Sequence, residues 1–385
     1  MSNRGFWIAW ALGLLLLIAL VAAGISQWHL SRYSQTVADR LLLLAELRRG
    51  AVQNYFDTAA AELRFWSTSP RLNQLQAQIA DAWRKSDQAA TALALRQRYI
   101  TANPHPAGIR AALARAGDSG YDRLHGELHG MAREFVTKRG YYDLFLVGGG
   151  GYIEYTVEKE DDFATSLIAG PYSDTGLGDV YRRARENSGS IAISDIKHYA
   201  PSAAPALFIA TTLSGEAGGV LAMQLPMDSL LAIMGYSAGM GETGETYLVG
   251  QDHLMRSDAR FVDSSTVLAQ VVDTESTRRA LAGEQGVAMI TGYRGTQVLS
   301  AYVPVTVGDQ RWAILAEIDR AEIRAGAAAE RPSLTGILSL FYGLSLWSVW
   351  YWRGREFAGE STPVEGATRE AALDLGTDSG GMGNG

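Results

Sequence analysis

The 385-residue chain has no cysteine. Disulfides, thiolate metal sites and cysteine nucleophiles are therefore all excluded, and the absence is compatible with an oxidising compartment. Concentrated positive charge is missing too. The 34 Lys and Arg are outnumbered by 41 Asp and Glu, the net charge is −7, and the basic residues do not cluster. Without a basic footprint, no nucleic-acid partner is expected. Other catalytic signatures are also lacking: no metal-ligand triplet, and no carboxylate pair in a setting suited to acid–base work. Asp161-Asp162 and Glu158 to Glu160 follow a strand and read as a solvated turn. No enzyme activity, no cofactor and no metal are expected.

What the chain does have is two long apolar runs. Phe6 to Ile25 is uncharged and long enough to cross a hydrocarbon core of ~30 Å. Its alternative is a cleaved signal peptide, for which Val21 to Gly24 offers small residues. Signal cores run to about 7–15 residues, however, and this run is longer. A second uncharged run, Leu334 to Trp352, ends in Trp347, Trp350, Tyr351 and Trp352, an interfacial aromatic belt. Arg4 precedes the first run, and Arg353 and Arg355 follow the second. By the positive-inside rule, both termini are expected in the cytoplasm and residues 26–332 outside it. The expected plan is a cytoplasmic N-terminus (1–5), a first span (6–25), an extracytoplasmic region, a second span (333–352) in the inner membrane, and a polar, glycine-rich, disordered tail (353–385).

Between Ser26 and Ser69 there is no proline and one internal glycine, Gly50. Tyr33, Val37, Leu41, Leu44, Leu47, Ala51, Tyr55, Ala59, Leu63 and Trp66 recur in helical steps. The spacing predicts a helix of roughly 65 Å, either a stalk forming the seam of a homodimer or a packing partner for its own chain; both roles can hold together. Ser69-Pro70 caps a second helix that is expected to run to about Ile100, with Leu72, Leu75, Ile79 and Trp83 inward. Asp118 or Ser119 caps a third, ended by Gly140. His125 and His129 lie four apart on it, but H-G-E-L-H matches no metalloprotease pattern, and packing or surface roles are expected.

From Tyr141 onward the pattern turns to strands. Residues 141–147 and 152–157 form a hairpin across Gly148 to Gly151, residues 179–187 a helix, and 191–196, 206–213 and 219–225 three more strands. This order is that of a PAS-like module. Residues 227–234 read as a connecting helix, 246–249 and 253–256 as a second hairpin, 265–282 as a helix, and 297–307 with 311–318 as a last hairpin leading into a helix from Asp319. Gly239 to Gly244 spells G-x-G-x-x-G, but a strand follows where a dinucleotide site needs a helix.

The hairpin carrying Gly241, Thr243, Gly244, Glu245, Tyr247, Leu248, Val249, Met255, Arg256, Ser257, Asp258 and Phe261 resembles the opening of the membrane-proximal module in double Cache sensor domains, the extracytoplasmic part of many bacterial chemoreceptors and sensor kinases. Gly140 to Leu146, Tyr155 to Ser166, Gly170 to Leu177, and Tyr199 to Ser202 with Pro205 to Ala210 resemble the distal module of a chemoreceptor branch. Tyr99, Asn103-Pro104, Gly117 to Tyr121 and His125 resemble its helical segment. The similarity covers about residues 95–320. It implies an α+β fold: a helical stalk and bundle (26–140) followed by a membrane-distal Cache module (141–228) and a membrane-proximal one with its connecting helix (229–325), set between two transmembrane helices.

The family binds small molecules in the distal module, between the sheet and the loops over it. Its amino-acid pattern includes arginine-x-tryptophan-tyrosine, which this module lacks, so amino-acid recognition does not carry over. Candidate ligand-binding residues are Tyr155, Tyr172, Asp174, Asp195, Lys197, Tyr199, Ser202 and Phe208. Lys197 can pair with a carboxylate, which puts an organic acid among the candidate ligands. Asp195, two positions away on a strand, would face the same side and could instead pair with Lys197. Arg256 and Asp258 are expected to hold the fold of the proximal module. In the family a HAMP linker and a signalling region follow the second span; the residues that follow it here show neither pattern. The expected function is a membrane-anchored sensor whose change a separate partner reads, or else a membrane-anchored binding or accessory module without output of its own.

Overall fold

A computed structural model describes residues 3–85, 87–215, 217–329 and 332–359. They fall into two units, Tyr33–Ala325 and the described parts of Met1–Arg32 with Gly326–Gly385. The smaller unit contains the start of helix α1 (Asn3–Ser67) and helix α9 (Pro332–Gly359). Among the described residues one helix, near the N-terminus, is long and apolar enough to cross a membrane. Helix α9 continues past residue 352, so residues 353–359, expected in the disordered tail, are helical. Arg353, Arg355, Glu356 and Ala358 are good helix formers and extend the preceding apolar stretch. The rest of the expected tail lies outside the described residues.

In the larger unit, α1 packs against its own chain. Val37, Leu41, Ala45, Val52, Phe56, Ala59 and Leu63 are buried. Leu47, expected on the inward stripe, is exposed, as is Leu43; Ala45 and Val52 occupy the inner face instead. Helix α2 (Pro70–Arg84) starts as its cap predicts: the Ser69 side chain accepts from Leu72 N, and Pro70 takes the first turn, where no donor is needed. The helix expected to reach Ile100 is broken. The Asp87 carboxylate captures the amides of Ala89 and Ala90 and starts a new helix, α3 (Gln88–Arg96), which passes into a π-turn at Gln97–Thr101. Helix α4 (Gly120–Arg139) has a reciprocal capping box between Ser119 and Asp122, and Gly140 ends it in the left-handed region (φ 74°).

Two antiparallel sheets follow. The first has strands β1 (Asp143–Val147), β2 (Ile153–Thr156), β3 (Ala192–Ile193), β4 (Lys197–Tyr199), β5 (Ala204–Thr212) and β6 (Val220–Leu225), in the order β2-β1-β6-β5-β3 with β4 paired to β5. The strand expected over 191–196 is thus reduced to Ala192–Ile193, and β4 beyond it was not expected. Helix α5 (Gly176–Glu186) covers one face with Leu177, Val180, Tyr181 and Ala184. After α6 (Met227–Gly235) comes the second sheet: β7 (Glu245–Val249), β8 (Gly286–Thr291), β9 (Gln297–Val307) and β10 (Gln310–Asp319), in the order β7-β10-β9-β8, with α7 (Glu275–Leu281) on one face. Helix α8 (Arg320–Ala329) continues directly from β10.

Three expectations change in the second module. Residues 253–256 make only isolated bridges, Val249 with Met255 and Leu254 with Val271. The helix expected over 265–282 is confined to Glu275–Leu281, because residues 265–274 form turns, with Leu268 at φ 58°. Strand β8 was not expected; it pairs with β9 along its whole length. The faces of both sheets turned away from α5 and α7 join the α1 stripe in one core, where Phe56 meets Trp312 edge-on at 6.0 Å.

Candidate functional site

Strand alternation determines what the α5 face of the first sheet presents. The register sets Asp143 of β1 against Gln224 of β6, and Gln224 against Phe208 of β5, making one row across three strands. Phe145, Ala222, Ala206 and Ala210 form the apolar floor beside it. Strand β4 folds back beside β5 through a turn with Ala203 at φ 53° and brings Tyr199 to this face. The Tyr199 ring meets Phe208 edge-on at 4.9 Å and lies 6.0 Å from Tyr172. Gly176 lets the start of α5 come close, since a Cβ there would stand 3.1 Å from both the Phe208 ring and Ser194 Oγ.

The polar groups in this face are buried and acidic. Asp143 is fully buried; its carboxylate accepts from the amides of Leu144, Val157 and Glu158 and from the Thr156 hydroxyl. Burial holds its pKa well above the usual carboxylate range, against the pull of the Thr156 hydrogen bond. Asp162, also fully buried, descends from the loop after β2. Its Oδ2 accepts from the Tyr199 hydroxyl and its Oδ1 has no partner. Burial pushes it up to about 7, while the Tyr199 hydrogen bond pulls it back. Gln224 Nε2 donates to Ser202 Oγ at 3.4 Å, and its Oε1 is unpartnered. A nearby cation, Arg96 of α3, donates to the carbonyls of Asp161 and Phe163 on either side of Asp162, and so holds the loop without pairing with its carboxylate.

Tyr172, Tyr199, Ser202 and Phe208 therefore come together as the sequence suggests. The other four candidates lie apart from them. Tyr155 is on the opposite face, with its hydroxyl 2.9 Å from His129 Nδ1. Asp174 and Lys197 are exposed. Asp195 does not pair with Lys197: the strand breaks between them, alternation fails, and the Asp195 carboxylate takes Nε (2.9 Å) and Nη2 (2.7 Å) of Arg256 in the second module. Asp143, Asp162 and Gln224 were missed. Asp143 had a legible signal, an acid in phase with the buried Phe145 and Val147. Asp162 had none, because adjacent carboxylates after a strand ordinarily face water.

Arg256 is 1 % exposed and is shared between Asp195 and, at 2.8 Å, Asp252. A second bridge, Arg183 Nη1 to Asp309 at 2.6 Å, also joins the modules. Behind the first sheet, Lys159 is fully buried; its Nζ donates to Val157 O and stands 3.3 Å from His129 Nδ1. Burial lowers Lys159 to about 7 and His129 to about 4. His129 Nε2 lies 2.8 Å from Ala111 O, and His125 Nδ1 2.7 Å from Ala114 O, so both rings are packed between α4 and the sheet.

No family model and no curated protein matches the chain. Solved structures do. It is similar to the ligand-binding domain of the Pseudomonas fluorescens chemoreceptor CtaA, in complex with L-leucine, at 16% identity, with 65% of this chain and 92% of that one covered and a TM-score of 0.35. It is similar to that of the Pseudomonas aeruginosa PAO1 amino acid chemoreceptor PctB, in complex with L-Arg (15%, 65% and 92%, 0.38). It is also similar to the sensory domain of the Campylobacter jejuni chemoreceptor Tlp3 (10%, 77% and 99%, 0.47). These neighbours are chemoreceptor ligand-binding and sensory domains.

Proposed function

We propose that this chain is a membrane-anchored extracytoplasmic sensor that binds a small molecule on the α5 face of its first, membrane-distal module. The supporting observation is the fully buried Asp162 with one unpartnered carboxylate oxygen, bonded to Tyr199, whose ring meets Phe208, the ladder neighbour of Gln224 with its unpartnered amide oxygen. Buried polar atoms are normally satisfied, and two orphans on one aromatic-lined face suit a ligand.

Connectivity supports a route for transmission. Tyr199 is four residues from Asp195, which is tied to Arg256 of the second module, and that module's last strand runs directly into α8. A ligand that favours one position of the β3–β4 segment would shift the second module by its differential affinity for the two positions. In this reading α1 and α9 carry the change across the inner membrane in a two-span protein with cytoplasmic termini, and a separate partner reads it. Leu43 and Leu47, exposed on α1, would serve a homodimer seam.

The test is thermal unfolding of the full-length chain in lipid nanodiscs against amines, amino acids, organic acids and purines. A ligand at 100 times its Kd adds ~2.7 kcal/mol. The reading expects a raised midpoint that is lost in Tyr199→Ala. A flat response across the whole panel would sink it.

A further inference from the structure

We infer that the ligand of the α5-face site is a small primary amine that carries no carboxylate of its own. This rests on the sensor reading above and specifies what the sensor takes. Asp162 Oδ1 and Gln224 Oε1 are both acceptors, both on residues more than nine-tenths buried, and neither has a donor. They belong to one contiguous group: Gln224 neighbours Phe208 and Asp143 in the ladder, Phe208 touches Tyr199, and Tyr199 donates to Asp162. With Asp162 ionised, what completes the group must bring N–H or O–H.

Charge narrows the choice. Two buried carboxylates stand here, and among the described residues no Lys, Arg or His forms an ion pair with either. Lys197 is exposed, and Arg96 is committed to backbone carbonyls. An organic acid would add a further negative charge beside two buried acids, with Arg96 already bonded to the loop carbonyls and Lys159 to Val157 O behind the sheet, and so would the carboxylate of an amino acid. A cation instead stabilises the ionised form of Asp162, and the Tyr199, Phe208 and Tyr172 rings offer it aromatic faces. A quaternary ammonium would satisfy the charge but leave both acceptors empty. A primary ammonium, with three donors, satisfies both.

The experiment uses the full-length chain in nanodiscs and chemically matched probes: propylamine, butylamine and 1,4-diaminobutane against propionate, β-alanine and trimethylpropylammonium. At least one primary amine is expected to raise the unfolding midpoint, and the other three probes are not. Asp162→Asn, which keeps an acceptor for Tyr199, is expected to weaken the amine by about tenfold or more, and Lys197→Ala to leave it unchanged. Should Asp162→Asn fail to fold, Gln224→Leu takes its place, with a smaller loss in the same direction. A response to propionate or β-alanine without one to the amines overturns the amine assignment and leaves the sensor reading standing. An amine response untouched by Asp162→Asn and Gln224→Leu overturns the site. Silence of every probe here, and of the wider panel, overturns both.

Discussion

The two modules use the same device and finish it differently. In each, a buried acid sits in the ladder beneath the helix-covered face: Asp143 beside Gln224 in the first sheet, Glu245 beside Glu317 in the second. In the second module the charge of Glu245 is met from within. Glu245 accepts from the Tyr293 hydroxyl at 3.0 and 3.1 Å and from Arg294 Nε at 3.2 Å, and Arg294 also reaches Asp319 at 3.1 Å. Glu317 next to it is pushed up to about 7 by burial, with the hydroxyls of Ser300 and Tyr247 pulling it back. In the first module Asp162 has a tyrosine, and Arg96 stands near it without an ion pair. A buried acid with its own arginine is a structural element; one without is a place where an outside cation gains free energy. On this comparison Glu245 is closed by its own arginine, whereas Asp162 in the first module and Glu317 in the second each keep one buried oxygen without a partner, and only Asp162 lies on the face lined by Tyr199, Phe208 and Gln224.

Breaking the joint between them should have the largest effect. Arg256→Ala removes the one cation that Asp195 and Asp252 share and leaves Asp195 largely desolvated. A loss of ~3–5 kcal/mol is expected in denaturant unfolding. In variants that still fold, ligand protection in hydrogen exchange should stay in β4–β6 and no longer reach β7 and β10. Full propagation in Arg256→Ala would show that the modules communicate by another route. Arg294→Met should come next, because it makes the second module resemble the first. Burial already raises the Glu245 carboxyl, and losing Arg294 raises it further. A group whose folded pKa lies above its unfolded value contributes stability at low pH and loses it as pH rises. The variant should therefore be nearly native below pH 4 and ~1–3 kcal/mol weaker at pH 7, measured by urea titration at both values. An equal loss at both would mean that Arg294 acts by packing alone.

Much of this was legible where the determinants are local. Ser69-Pro70, the Ser119–Asp122 box and Gly140 set helix boundaries by short-range hydrogen bonding and backbone freedom, and the sequence carries them openly. The misread segments depend on partners far away in the chain. Strand β8 has no clean alternation and exists because β9 lies beside it. Residues 265–274 look helical in composition, but Leu268 N and Gln270 O pair with Met255, and Asp258 holds Thr266 N, which fixes them as turns. The site divides the same way. Tyr199 and Phe208 could be found as aromatics on strands, whereas Asp162 becomes buried only when Arg96 draws its loop inward and Tyr199 covers it.

Asp162 allows the finest test of the contrast. Its folded pKa, about 7, exceeds the ordinary value of 3.8. Wild-type stability should decline as pH rises from about 4 to about 7 and then level off. Asp162→Asn should flatten that window and leave the variant ~1–2 kcal/mol more stable than wild type above pH 7 in the absence of ligand; an unchanged pH profile would place the titrating group elsewhere. Tyr199→Phe is smaller and shifts in the opposite direction. It removes the hydroxyl that favours the charged carboxylate, so the Asp162 pKa should rise further and the end of the decline should move to higher pH. The net cost is about 0.5–1.5 kcal/mol. Amine binding needs the charged carboxylate, so in Tyr199→Phe its onset should move up in pH by the same interval. If the onset of binding moves while the stability profile stays put, the tyrosine contacts the ligand directly rather than acting through Asp162.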